Sequence, residues 1–320
     1  MTPSKILALL ACVLVEVGDA RAFDVQGHRG ARGHAPENTL AAFRRAIELG
    51  VTTIETDVGV TQDDVLVIAH DRHLNPAIVR EANGRWLQGP GPTIRSLAVA
   101  ELKRYDVGRL DPASSYAKQW AQQVPSDGQR IPALTDLFAL VRASGKPTGI
   151  NIETKLSPLA PDDTVAPAAF ARLLVDEIRA ADFTDRVTVQ SFDWRTLVEV
   201  KRLAPEIRTV CLTTEGGNGD TVKPDASGRS PWHAGLSLAE AGSLPKLVKA
   251  AQCDTWSPFF RNVTAERVRD AKALGLLVVP WTVNEPADIA LMLDANVDGL
   301  ISDYPDRVTK LLAARGVRTP

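Results

Sequence analysis

Thr53-Ile54-Glu55-Thr56-Asp57-Val58 is a short β-branched run with two acids set two residues apart. Side chains alternate along a strand, so Glu55 and Asp57 point to the same side. The helical spacing Leu40-Phe43-Ile47 precedes this run, and the strand-like Asp24 to His28 comes before that. The same alternation continues downstream, with strand candidates at Thr148 to Glu153, Val187 to Ser191, Ile207 to Leu212, Asp254 to Ser257, Leu276 to Trp281 and Val297 to Ser302. Amphipathic segments lie between them, including Leu173 to Ile178, Val263 to Leu274 and Ala287 to Leu293. Eight such runs predict an α/β fold, a single (β/α)8 TIM barrel, with a doubly wound open sheet as the runner-up.

Two stretches break the rhythm. Residues 61–146 hold an extra strand, Val65 to His70, a polar loop at Asn83-Gly84-Arg85, a helical segment from Leu97 to Arg104 and a Pro/Gly/Ser-rich tract. That is too long for one βα connection, so it reads as an insertion after the second strand, over one end of the barrel. Thr213 to Ser230, rich in Gly, Asp and Ser, reads as a flexible loop.

Barrel chemistry sits where strands end, and four clusters fall there. His28 and Arg29, in Gly27-His28-Arg29-Gly30, offer a proton shuttle and a planar phosphate fork; surface decoration is the plain alternative. Glu55 and Asp57 are flanked by Ile54 and Val58 in a run expected to be buried. Two buried acids need compensation, which a bound cation supplies; a solvated edge strand would need none. Glu153 and Lys155 share a face on a strand expected to neighbour the second. They make either a local ion pair or a third carboxylate and a phosphate-facing charge. Three carboxylates form a hard oxygen site suited to one divalent cation, Ca²⁺ or Mg²⁺. His70, followed by Asp71, supplies a second imidazole. Displacement at phosphorus needs two proton-transfer groups, one for the attacking and one for the leaving oxygen.

These residues, with Pro36-Glu37-Asn38-Thr39, Ala42-Phe43, Gln190-Ser191-Phe192, Trp281-Thr282-Val283-Asn284 and Asp298-Gly299-Leu300-Ile301-Ser302-Asp303, resemble the glycerophosphodiester phosphodiesterase family from about Gln26 to Pro305. The resemblance implies a metal-dependent phosphodiesterase that hydrolyses glycerophosphodiesters to glycerol 3-phosphate and an alcohol. It implies a divalent metal on Glu55, Asp57 and Glu153, with His28 and His70 as the acid–base pair. It also implies phosphate binding by Arg29 and Lys155. Trp281 looks like the residue lining the glycerol side of the pocket, although an aromatic in the barrel core reads nearly as well. Asn38 or Thr39 can cap the first helix.

At the amino end, Lys5, the apolar run Ile6 to Val15 and Ala20-Arg21-Ala22 read as a secretory signal over residues 1–22. The alternatives are an uncleaved anchor or lipid attachment at Cys12. Residues 23–320 then form one periplasmic or secreted domain. The apolar run is too short to span a bilayer, and the net charge of -2 favours neither nucleic acid nor an anionic membrane. Cys211 and Cys253 lack metal-ligand spacing and read as two buried free thiols, although an oxidising compartment permits pairing. The oligomeric state is left open. The rival functions are a lysophospholipase D or phospholipase C acting on intact lipid, and a periplasmic protein that binds phosphorylated solutes.

Overall fold

The computed structural model describes residues 22–317, so the expected export signal lies outside the described residues except for Ala22. Nine strands run β1 Asp24–Gly27, β2 Thr53–Val60, β3 Leu66–Ile68, β4 Gly149–Thr154, β5 Val187–Ser191, β6 Arg208–Thr213, β7 Thr255–Pro258, β8 Leu277–Val278 and β9 Gly299–Ser302. Eight of them are parallel neighbours in the order β8-β7-β6-β5-β4-β2-β1-β9, and β3 pairs antiparallel with β2. The barrel is nearly closed. At the seam, Pro280 has no N–H to give a ladder; instead the Asp298 and Ile301 N–H groups donate to the Val278 and Pro280 carbonyls at 2.8 and 3.0 Å.

Alternation sorts each strand into an outer apolar face and an inner polar one. Val25, Ile54, Val58, Ile150, Ile152, Val187 and Val189 are buried in the main core. There they meet Phe43 and Ile47 of the helix Leu40–Glu48, and Phe170, Leu174 and Ile178 of the helix Pro167–Ala180. Thr39 caps the first of these helices, its hydroxyl accepting from the Ala42 N–H. Facing inward on the first four barrel strands are Gln26, Glu55, Asp57, Asn151, Glu153 and Gln190, all buried.

The segment between β2 and β4 buries its own small cluster, Val67, Leu74, Val79, Ile94, Leu102, Val107 and Ile131. Val58 pairs with Ile68, so β3 runs back along β2 toward the site. After β6, the chain from Thr213 to Ser230 folds on itself, with the Thr221 N–H donating to the Thr214 carbonyl (3.0 Å) and Asp225 to Arg229 (2.9 Å). Just beyond it, His233 stacks on Trp194 with centroids 4.4 Å apart.

The two thiols are not free: Cys211 and Cys253 form a disulfide, with Cα atoms 5.9 Å apart. The physical reason is register. Cys211 pairs with Trp256 across β6 and β7, which brings the cysteines side by side across a sequence separation of 42. Neighbouring strands meet the distance a bridge needs, and sequence spacing does not report that.

Two outcomes follow for stability. Replacing both cysteines by Ala is expected to lower the unfolding free energy by about 2–4 kcal/mol, since a loop of this size is no longer closed in the unfolded chain; urea denaturation measures it. Burial lowers the His233 pKa from 6.5 to about 4. Between those values the unfolded chain binds the extra proton, so the stability from neutral His233 is complete above about pH 6.5 and is lost as pH falls toward about 4. His233→Phe keeps the stack and should flatten this part of the stability–pH curve. Urea midpoints near about pH 7 and about pH 5 check this.

Candidate active site

A tight turn begins the site. Gly27 ends β1, and a side chain there would place its Cβ 2.0 Å from the Gly30 carbonyl oxygen. Arg29 and Gly30 both take positive φ, 50° and 87°, and a Cβ on Gly30 would lie 2.8 Å from the Ala42 backbone. This conformation turns the Arg29 N–H onto Glu55 Oε2 at 2.8 Å and the Gly30 N–H onto the Glu55 carbonyl at 3.1 Å. The turn therefore fixes one metal-type carboxylate with its backbone while presenting His28 and Arg29 to the cleft.

β2 and β4 are neighbours, with Asp57 opposite Glu153. One oxygen each from Glu55, Asp57 and Glu153 lies within 4.8 Å of the others, and all three residues are buried. Burial raises the Glu55 pKa well above the ordinary value, and Asp57 and Glu153 push it further. Burial also raises Glu153, to about 6, with Lys155 opposing and Asp57 adding to the shift. Burial would raise Asp57 too. Positive charge holds it below the usual range instead: His70 when protonated, then Lys155 and Arg29. The Lys155 ammonium is 2.6 Å from Glu153 Oε1 and 3.5 Å from Asp57 Oδ1. Arg29 is largely taken up by Glu37, at 2.5 Å. Three carboxylates thus meet less than two full positive charges. Asp57 Oδ1 is buried without a hydrogen-bond partner among the described residues. An oxygen-only, electron-rich site with an orphaned carboxylate oxygen fits a hard divalent cation.

Both histidines reach this site, and each rests on a carboxylate. His28 Nδ1 is 2.7 Å from Asp303 Oδ1, and its Nε2 is 4.0 Å from Glu55 Oε2. β3 returns along β2 until the Ala69 N–H donates to the Asp57 carbonyl at 3.0 Å, which sets His70 beside the acids. His70 Nδ1 is 2.8 Å from Asp71 Oδ1. Burial would raise the Asp303 carboxyl, but His28 and Arg32 hold it well below the usual range. An ionised Asp303 accepts the His28 Nδ1–H, so Nε2 is left to exchange protons in the cleft. Burial lowers the pKa of His28, against the pull of Asp303, and lowers that of His70 further, aided by Arg29 and Lys155.

The cleft, about 200 Å³, is lined by the polar His28, Arg29, Glu55, His70 and Glu153 and by the apolar Phe192, Leu212, Trp281 and Ile301. Trp281 thus lines the cleft, and it also packs at 5.3 Å from Phe192 and 5.5 Å from Phe259. Of the candidate site residues read from the sequence, His28, Arg29, Glu55, His70, Glu153 and Trp281 line this cleft, and Asp57 and Lys155 adjoin it through Glu153.

Several others were missed. Asn38, at φ 56°, leaves helix capping to Thr39 and donates from Nδ2 to Asp57 Oδ2 at 2.9 Å. Gln190 donates to Glu55 Oε1 at 2.7 Å. Asp303 also receives Arg32 Nε and Asn284 Nδ2, each at 2.7 Å. Tyr116, from the insertion, donates its hydroxyl to Glu37 and accepts from Arg32 at 3.0 Å. Glu37, Asn38, Gln190, Asn284 and Asp303 lie inside the recognised motifs, which signalled them without a role. Arg32 and Tyr116 carry no such signal.

A family model described as the glycerophosphoryl diester phosphodiesterase family matches residues 28–307. The chain belongs to that family. A glycerophosphodiester phosphodiesterase of Caldanaerobacter subterraneus subsp. tengcongensis is 32% identical over 292 residues, covering 91% of this chain and 98% of the relative. The crystal structure of a candidate glycerophosphoryl diester phosphodiesterase from Silicibacter pomeroyi DSS-3 superposes with a TM-score of 0.82 at 34% identity, over 95% of this chain and 97% of that one. An Oleispira antarctica phosphodiesterase, solved with its product sn-glycerol-3-phosphate, shares the fold with a TM-score of 0.66 at 24% identity, over 91% and 96% of the two chains.

In a glycerophosphoryl diester phosphodiesterase built this way, Asp303→Asn keeps the shape but removes the charge that fixes the His28 tautomer. It is expected to lower kcat by about 10²- to 10⁴-fold with KM little changed, as steady-state kinetics on a phosphodiester will show.

Proposed function

We propose that the protein is an exported, cation-dependent phosphodiesterase that cleaves glycerophosphodiesters to glycerol 3-phosphate and an alcohol by paired histidine acid–base catalysis. The observation carrying this reading is a cleft lined by two carboxylate-backed imidazoles together with Glu55 and Glu153, which with Asp57 bring one oxygen each to within 4.8 Å of one another.

Glu55, Asp57 and Glu153 would hold the cation, Ca²⁺ or Mg²⁺. When bound there, such an ion supplies charge neutralisation at phosphate oxygens. Arg29, whose Nε has no hydrogen-bond partner among the described residues, offers that donor to the phosphate, and Lys155 adds a point charge. One imidazole then takes the proton of the attacking oxygen and the other protonates the leaving alcohol. The wall of Phe192 and Trp281 faces the organic part of the substrate, with Trp281 on the glycerol side.

Export rests on the amino-terminal signal pattern and agrees with the Cys211–Cys253 bridge, since disulfides persist in oxidising compartments. No helix among the described residues is long and apolar enough to cross a membrane.

The deciding experiment is choline release from glycerophosphocholine and lysophosphatidylcholine, with and without chelator, with glycerol 3-phosphate measured as the co-product from the first. Release from the first alone is expected, abolished by chelator and restored by Ca²⁺ or Mg²⁺. His28→Ala and His70→Ala should each cut turnover by roughly 100-fold or more. Chelator-insensitive release would refute the cation role. Near-normal turnover in either variant would refute that histidine's role, and choline release from the lysolipid would move the substrate class to intact lipids.

A further inference from the structure

Beneath the carboxylates, the barrel interior holds a layer of amides where branched apolar side chains usually fill the space. Gln26, Asn151 and Gln190 are 4%, 1% and 1% exposed. Their hydrogen bonds run in one direction. Asn151 Nδ2 donates to both Gln26 Oε1 and Gln190 Oε1, each at 2.9 Å, while Asn151 Oδ1 accepts from the Thr188 hydroxyl at 2.8 Å. Gln26 Nε2 then donates to Asp24 Oδ2, and Gln190 Nε2 donates to Glu55 Oε1, both at 2.7 Å.

A carboxamide offers a donor on one side and an acceptor on the other, and turning it over exchanges them. The chain ends on Asp24, which accepts from Gln26, and on Glu55, which as a carboxylate holding a cation can only accept, so each glutamine must turn its N–H outward and its carbonyl toward the centre. The centre must therefore donate twice. Asn151 does so, and Thr188 occupies the one group of Asn151 that could otherwise be turned inward. Unsatisfied amides in this position would be costly; satisfied, they hold one oxygen of Glu55 while the Arg29 N–H holds the other at 2.8 Å.

We propose that Asn151 is a positioning residue for the cation site: as a double donor it fixes the Gln190 amide so that its N–H, not its carbonyl, meets Glu55. This rests on the cation reading above. Without Asn151, Gln190 is free to turn its carbonyl to Glu55, lone pairs oppose, and the carboxylate leaves its ligand geometry.

The test is calorimetric titration of Ca²⁺ and Mg²⁺ into the chelator-stripped full chain, with thermal melts of each variant. Asn151→Leu has a similar volume and no hydrogen-bonding group; its cation Kd is expected to weaken by about 10- to 100-fold, as is that of Gln190→Leu. Because Asn151 acts through Gln190, the double variant should lie within about threefold of Gln190→Leu alone. Saturating cation should restore the Asn151→Leu kcat to within about threefold of the parent, which a general structural defect would not allow.

Unchanged cation affinity in Asn151→Leu, fully additive losses, or kcat lost at saturation would each overturn the proposal. If Asn151→Leu does not fold, the pair Thr188→Val and Thr188→Ser decides it. Valine should weaken affinity several-fold and serine should restore it, and parental affinity in the valine variant overturns the proposal. A parent chain that binds neither ion overturns the cation reading itself and this proposal with it. Parental binding matched by Asn151→Leu overturns the proposal alone.

Discussion

Three carboxylates on adjacent barrel strands, all buried, set the terms for the rest of this structure. They are largely removed from bulk water, so much of their charge has to be met by neighbours. Backbone N–H from the Arg29 turn, amides from Asn38 and Gln190, and the ammonium of Lys155 each take part of it. The shortfall is visible in two ways: burial raises the pKa of Glu55 and Glu153, and one oxygen of Asp57 has no hydrogen-bond partner among the described residues. A barrel filled with branched side chains would be easier to fold, and the polar layer beneath the site is explained by the geometry those acids require.

The segment between β2 and β4 belongs to the site as much as the barrel does. It has its own buried cluster, which gives it a fixed shape, and that shape delivers two groups. β3 brings His70 beside Asp57, and the helix Ser115–Gln119 brings Tyr116 to Glu37 and Arg32. Arg32 also lies 4.2 Å from the centre of the Trp120 ring. Through Glu37 the insertion restrains Arg29, and through Arg32 it restrains Asp303 and hence His28. Arg29 and His28, the groups proposed to bind phosphate and to transfer a proton, are therefore both held through a segment outside the barrel.

The cleft is chemically two-sided. Its charged lining comes from β1, β2, β4 and the end of β3, and its apolar lining from Leu212 on β6, Ile301 on β9 and the residues following β5 and β8, with Phe259 packed against Trp281. Such a division suits a ligand with an anionic centre and an organic arm. The β8–β9 seam leads directly to Asn284 and Asp303, whose hydrogen bond at 2.7 Å joins the two strand ends behind His28. The disulfide ties β6 to the approach to β7.

Alternation of short β-branched and amphipathic runs made the barrel legible from sequence, because strand and helix periodicities differ and survive in the chain itself. The two-residue spacings Glu55/Asp57 and Glu153/Lys155 were legible for the same reason. Tertiary structure alone decided which carboxylate backs which imidazole, since Asp303 lies 275 residues from His28. It alone turned Asn38 from capping to Asp57, aligned the amides of Gln26, Asn151 and Gln190, and joined Cys211 to Cys253. Local periodicity records which face a side chain takes; who stands opposite is set by strand register and barrel closure, which place residues distant in sequence within bonding reach.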